Sequence, residues 1–384
     1  MKQGPWKIAR RAVAAVALLP VLVTGQQATQ DEIIRSEAAA FRMEEVANGL
    51  QIPWAIAFLP GNQALVSERA AGRIRLVDLV DGALAAPAGG PDDVFIKDNG
   101  GMLDVVLHPD FEDNRWVYYC YTAGDLQLST TVVERVRLTD GVFADRERLF
   151  AAQPWYHNSI VYGCRLAFSG EYLFISMGER WDLRHLAQSP GTHLGKILRV
   201  HHDGSAPPDN PFAGIPGALP EVWALGSRNA QGLAVHPVTG ELWSHEHGPM
   251  GGDEINVIEP GRNYGWPVIT YGLEYSGEPV GEGLTESEGL EQPLYTYIPS
   301  IAPSDMVFYT GSAFPQWQGN LFIGALAGTH INRLVIDGRN VVHEERLLHG
   351  KGWRIPFVKQ GPDDLIYFGT GMGAVFRLVP VAED

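Results

Sequence analysis

The sequence predicts an all-β chain folded as a six-bladed β-propeller, and three observations carry that reading. A unit of two short apolar strands joined by a Pro, Gly or Asp turn recurs six times, at roughly 50–75-residue spacing. No long amphipathic helical period interrupts the repeats. The 44 Gly and 26 Pro, with 10 Trp, 13 Tyr and 15 Phe, suit sheets punctuated by turns and lined by aromatic rings.

The units follow one another in order. Residues 54–60 lead into 64–67, 103–109 into 116–119, and 165–168 into 172–175. Then 232–237 lead into 241–243, 306–309 into 320–323, and 357–362 into 365–368. Each second strand is rich in β-branched and aromatic residues. A single blade buries its faces only against its neighbours, so none is stable alone. Residues 42–50 are expected to supply a strand that closes the ring against the last blade. Long insertions fall at 181–220 and 249–303, and loops of that length in a compact domain are usually functional. Two β-sandwiches joined by a linker would need a compositional boundary, and none shows.

The chain is therefore divided into a signal peptide at 1–25, a flexible segment at 26–40 and a single propeller domain at 41–384. Lys2, Lys7, Arg10 and Arg11 precede an apolar run at 12–23, and Val23-Thr24-Gly25 offers small residues for cleavage. That run is too short for a membrane span, so a periplasmic or secreted protein is expected. Removing four cations and no anions with the leader takes the net charge from −16 to −20. So acidic a chain argues against nucleic acid and anionic membrane as partners. Cys120 and Cys164 face an oxidising compartment, either as one bridge or as two buried thiols.

The most informative stretch is 245–256, His-Glu-His-Gly-Pro-Met-Gly-Gly-Asp-Glu-Ile-Asn, followed at 263–267 by Asn-Tyr-Gly-Trp-Pro. Gly and Pro at this density exclude helix and central strand, leaving a loop whose carbonyls point in unusual directions. Carboxylates crowd it, the usual setting for a hard cation held by oxygen ligands. This block resembles the calcium and quinone-binding loop of the soluble pyrroloquinoline-quinone-dependent aldose (glucose/sorbosone) dehydrogenases. Further segments are similar to that family in the same order: 53–58 with 72–75, 100–104 with 108–111, 192–199, 228–233, 299–304 and 324–328. The resemblance spans roughly residues 45–380.

It implies a function and a set of residues. Calcium would be held against the quinone by the carbonyls of Gly248 and Pro249, and a second, structural calcium by Glu254 and the Tyr264 carbonyl. The cation polarises the quinone as a Lewis acid. Arg228, Asn229, Asn99 and Arg354 would bind the cofactor, Arg228 also stabilising charge during its reduction. An aldose would be oxidised to its lactone, with an electron acceptor that the sequence does not identify and with homodimerisation left open.

Three positions depart from the family pattern. The general base is a His in His-x-Gly-x-Arg-Leu, and the aligned run begins at Val161, a hydrocarbon that cannot take a proton. His157, four residues upstream, is the substitute to consider if the loop 155–160 rearranges. The family's Gln before Gly-Gly is Asn99, and its Arg-x-Arg-Asp clamp reads Arg354-Ile355-Pro356-Phe357. These changes keep two rivals alive: a silent propeller that binds carbohydrate or protein, and a calcium-dependent sugar lactonase, which would need convergent carboxylates in the channel. His245 and His247 share one face of a strand end and either ligate a metal or bond to loop backbone.

Overall fold

Each of the six predicted units becomes the two innermost strands of an antiparallel blade in the computed structural model, which describes residues 32–382. The innermost strands, Pro53–Phe58, Met102–Leu107, Gly163–Ser169, Ala230–Val235, Pro303–Phe308 and Val358–Gln360, pack side by side around one axis. Five blades have four strands. The sixth has five, because Ala40–Ala47 adds to the C-terminal strand Val375–Pro380, pairing Phe41 with Pro380 and Met43 with Leu378. The expected ring closure is thus present, starting two residues earlier than 42. Among the described residues the only α-helix is the single turn Phe111–Asn114.

The 26–40 segment needs correction. Ile34–Arg35 pairs with Ala40 and Phe41, Glu37 meets His343 and Arg333, and Glu32 meets Lys351. Residues 32–40 therefore belong to the propeller. The signal peptide at 1–25 and residues 26–31 lie outside the described residues.

Six apolar clusters hold the ring, one at each blade junction. Ala55, Leu65 and Ile74 meet Val105, Tyr119 and Val132 between the first and second blades. Phe41, Ile366 and Phe376 meet Trp317 and Phe322 between the sixth and fifth. This is the burial against both neighbours that the repeat requires. Cys120 on the second blade and Cys164 on the third are joined by a disulfide across their junction, with Cα atoms 6.6 Å apart. Of the two sequence alternatives, bridged or buried free, the bridge is correct.

The axis is not open along its length. Arg165, on the innermost strand of the third blade and 1% exposed, extends across it. Its guanidinium donates to the carbonyls of Trp54 at 3.1 Å, Gln231 at 3.0 Å, Ser304 at 2.8 Å and Pro356 at 3.0 Å, and lies 3.5 Å from Asp104. One side chain thereby contacts the other five blades.

Candidate active site

Above Arg165, the ends of the innermost strands and the loops beyond them enclose a cavity of about 220 Å³. Asn99, Asn229 and Arg354 line it, together with Trp54, Arg69, Gln231 and His247. Two cations and no carboxylate face this space, although the chain carries 45 Asp and Glu against 29 Lys and Arg. Tyr162 forms part of the wall, its hydroxyl donating to the Asn158 carbonyl at 3.0 Å. Val161 and Phe357 are buried behind the wall and do not fill the space.

The polar wall is tightly organised. Asn99 Oδ1 accepts from the Val161 amide at 3.2 Å. Asn229 Oδ1 accepts from the Gly163 amide at 3.1 Å and from Gln231 Nε2 at 3.2 Å. His247 donates from Nε2 to the Pro303 carbonyl at 2.7 Å, leaving Nδ1 to accept from Asn229 Nδ2 at 3.3 Å. Burial, with Arg228 and Arg354 nearby, pushes its imidazole below the usual range, so it is neutral. Both its nitrogens are engaged. Backbone bonding is thus the role of His247, while His245 packs its ring against Gly232, where a Cβ would collide with it.

A second, smaller space adjoins the first through His247. It holds about 10 Å³, room for one water-sized occupant, between Arg228, Glu246, Gly248, Glu254 and Tyr264. The metal candidates Gly248, Glu254 and Tyr264 are thus brought together. Pro249 lies beside them, its ring against Gly272. Asp253 fixes the loop by accepting from the amides of Gly248 at 2.9 Å, Ile301 at 2.8 Å and Ala302 at 2.9 Å, and from the Ser300 hydroxyl at 2.8 Å. A Cβ at Gly248 would strike the carbonyls of Gly251 and Gly252, which is why the motif demands glycine.

Buried carboxylates dominate this smaller space. Burial raises the carboxyls of both Glu246 and Glu254, and the charge of Glu246 raises Glu254 further. Burial also pushes Glu179 up to about 7 against the pull of Arg228, Arg184 and the Trp181 amide. Arg228 differs from expectation. It lines the smaller space rather than the larger cavity, donating to the carbonyls of His247 at 2.9 Å and Gly248 at 2.7 Å between the rings of Trp181 and Trp266. Among the described residues no three His, Cys, Asp or Glu side chains form a metal cluster, so a cation here would rely on carbonyls as well as on Glu254.

His157 does not reach the cavity. It is exposed, its ring 4.1 Å from that of Tyr156. The buried Arg180 ties down the loop that would have to rearrange, its guanidinium binding the carbonyls of Ser129 at 2.9 Å, Asn158 at 2.6 Å and Ile160 at 3.3 Å. Arg69, Gln231, Trp54 and Glu179 were not singled out from sequence. Arg69 directly follows the second strand of its blade, Gln63–Glu68, and its carbonyl lies against Gly101; that position beside Gly100-Gly101 was the available signal.

Residues 50–377 match the Glucose / Sorbosone dehydrogenase family. The chain is 40% identical over 349 residues to the aldose sugar dehydrogenase YliI of Escherichia coli, covering 89% of this chain and 94% of that protein. It is 30% identical over 390 residues to quinoprotein glucose dehydrogenase B of Acinetobacter calcoaceticus, covering 80% of each. The PQQ-bound aldose sugar dehydrogenase of Streptomyces coelicolor superposes with a TM-score of 0.72 at 27% identity, over 89% of this chain and 98% of that one. With a fold, a loop and a sequence match that agree over most of its length, the chain belongs to the glucose/sorbosone dehydrogenase family.

Proposed function

We propose that this is an exported, calcium-dependent quinoprotein that oxidises aldose sugars to lactones. The observation that carries the reading is the pairing of two spaces: a cation-lined cavity without carboxylates, and a small void with buried glutamates, sharing His247. The first suits a planar polycarboxylate such as pyrroloquinoline quinone, and the second suits a divalent cation. When bound, that pair supplies an electrophilic two-electron acceptor for hydride. Arg354 would neutralise cofactor carboxylate, and Asn99 and Asn229 would orient it. Gly248, Glu254 and Tyr264, which line the small void together, would offer oxygens to a calcium there, with the Pro249 carbonyl beside them. The disulfide supports export, since such bonds persist in oxidising compartments.

The proton of the anomeric hydroxyl has no dedicated acceptor. Val161 is a hydrocarbon, and His247, the single imidazole on the wall, has both nitrogens committed. This favours slow turnover and keeps the silent-relative reading in play. The lactonase reading is disfavoured, because the cavity wall presents no carboxylate.

The test is reconstitution of the purified protein with quinone and calcium, followed by dye reduction over an aldose panel. Turnover that disappears with a calcium chelator is expected. Quinone binding without any turnover would favour the silent relative, and absence of quinone binding would overturn the proposal.

A further inference from the structure

We propose that Arg69 is the second cationic clamp on the quinone, replacing the arginine that this chain lacks at Pro356. The inference rests on the quinoprotein reading above. Position 356 cannot serve: it carries proline, and its carbonyl is held by Arg165 on the axis side of the wall. Arg69 reaches the same cavity from the first blade, so the two cations facing the space are Arg69 and Arg354.

Among the described residues nothing neutralises the charge of Arg69. The guanidinium of Arg69 lies 4.4 Å from the ring centroid of Trp54 and has no hydrogen-bonded or ion-pair partner among the described residues. Its neighbour Glu68 is taken by Arg73 and Arg75 instead, at 2.5 and 3.0 Å. Burial and the like charge of Arg354 both push Arg69 below its usual range, so its cation is disfavoured where it stands. In so acidic a chain, two mutually repelling guanidiniums without a carboxylate are explained by an anionic ligand between them. Gly101 maintains the placement: a Cβ there would collide with the Arg69 carbonyl, and only glycine lets the loop bearing Asn99 lie against it. Trp54 fixes the guanidinium plane, which suits fork-like pairing to a carboxylate.

The test titrates metal-free protein with quinone in excess calcium, reading tryptophan quenching, and measures Tm with and without quinone. Arg69→Met is expected to raise the quinone Kd by roughly tenfold or more, with Arg69→Lys intermediate. Its quinone-free Tm should be unchanged or higher, because a repulsion has been removed, while the rise in Tm on adding quinone shrinks. The trimethyl ester of the quinone, which lacks the charges, should bind native and Arg69→Met proteins alike. If the native protein binds the acid form and Arg69→Met binds it equally well, Arg69 is not the clamp although the quinoprotein reading stands. A lowered quinone-free Tm in Arg69→Met would mark a structural role and also overturn the inference. Failure of the native protein to bind quinone would overturn the underlying reading, and this one with it.

Discussion

Val161 holds a φ of +56°, in the left-handed region, which is costly for a β-branched side chain. Neighbouring backbone enforces it: its amide donates to Asn99 and its carbonyl accepts from the Arg180 amide at 3.2 Å. A strained conformation kept at the family's base position, without the base, makes a sharp prediction. Val161→His should leave Tm unchanged or slightly higher, since histidine tolerates this φ better, and should raise kcat for aldoses by about a hundredfold or more. Steady-state dye reduction and thermal melting check both, and an unchanged kcat would remove position 161 from the chemistry. At this scale sequence reading was uneven. That Gly248, Glu254 and Tyr264 lie together was legible because glycine geometry and the motif fix the loop locally. His157 was misplaced because Arg180, which ties its loop down, acts through carbonyls that no side-chain pattern records.

The strands were legible as elements because alternating apolar patterns and turn residues are local properties, and all six inner pairs lie where the repeats put them. Pairings between distant segments were harder. The strand Ala40–Ala47 was anticipated, but the hairpin it forms with Ile34–Arg35 was not, since two residues carry no periodicity. The Cys120–Cys164 link was left open for the same reason. It closes a separation of 44 residues between two blades, so the Cys120→Ser/Cys164→Ser double variant should lose roughly 2–4 kcal/mol of stability. Guanidinium chloride unfolding measures this, and an unchanged midpoint would show that the junction does not depend on the bond.

Across the whole molecule, Arg165 is the contact that unites the ring, and nothing local announced it. Its role needs five partners from five other blades, which only the closed fold assembles. Arg165→Met would leave Asp104 without its guanidinium and several carbonyls buried without a donor, while Lys359, bound to Asp305 at 3.0 Å, would offset only part of the buried negative charge. Such a loss should lower unfolding stability by about 3–5 kcal/mol or more, read from denaturant curves. A change below about 1 kcal/mol would mean that water replaces the guanidinium at little cost.

The same side chain gives the ring a floor. A propeller stoppered in this way is a cup rather than a tube, with a single door. For the proposed chemistry, a sugar, its lactone and the electron acceptor must all use that door in turn. On that reading lactone and acceptor would compete for one entrance, which predicts a double-displacement pattern in steady-state kinetics, whatever the identity of the sugar.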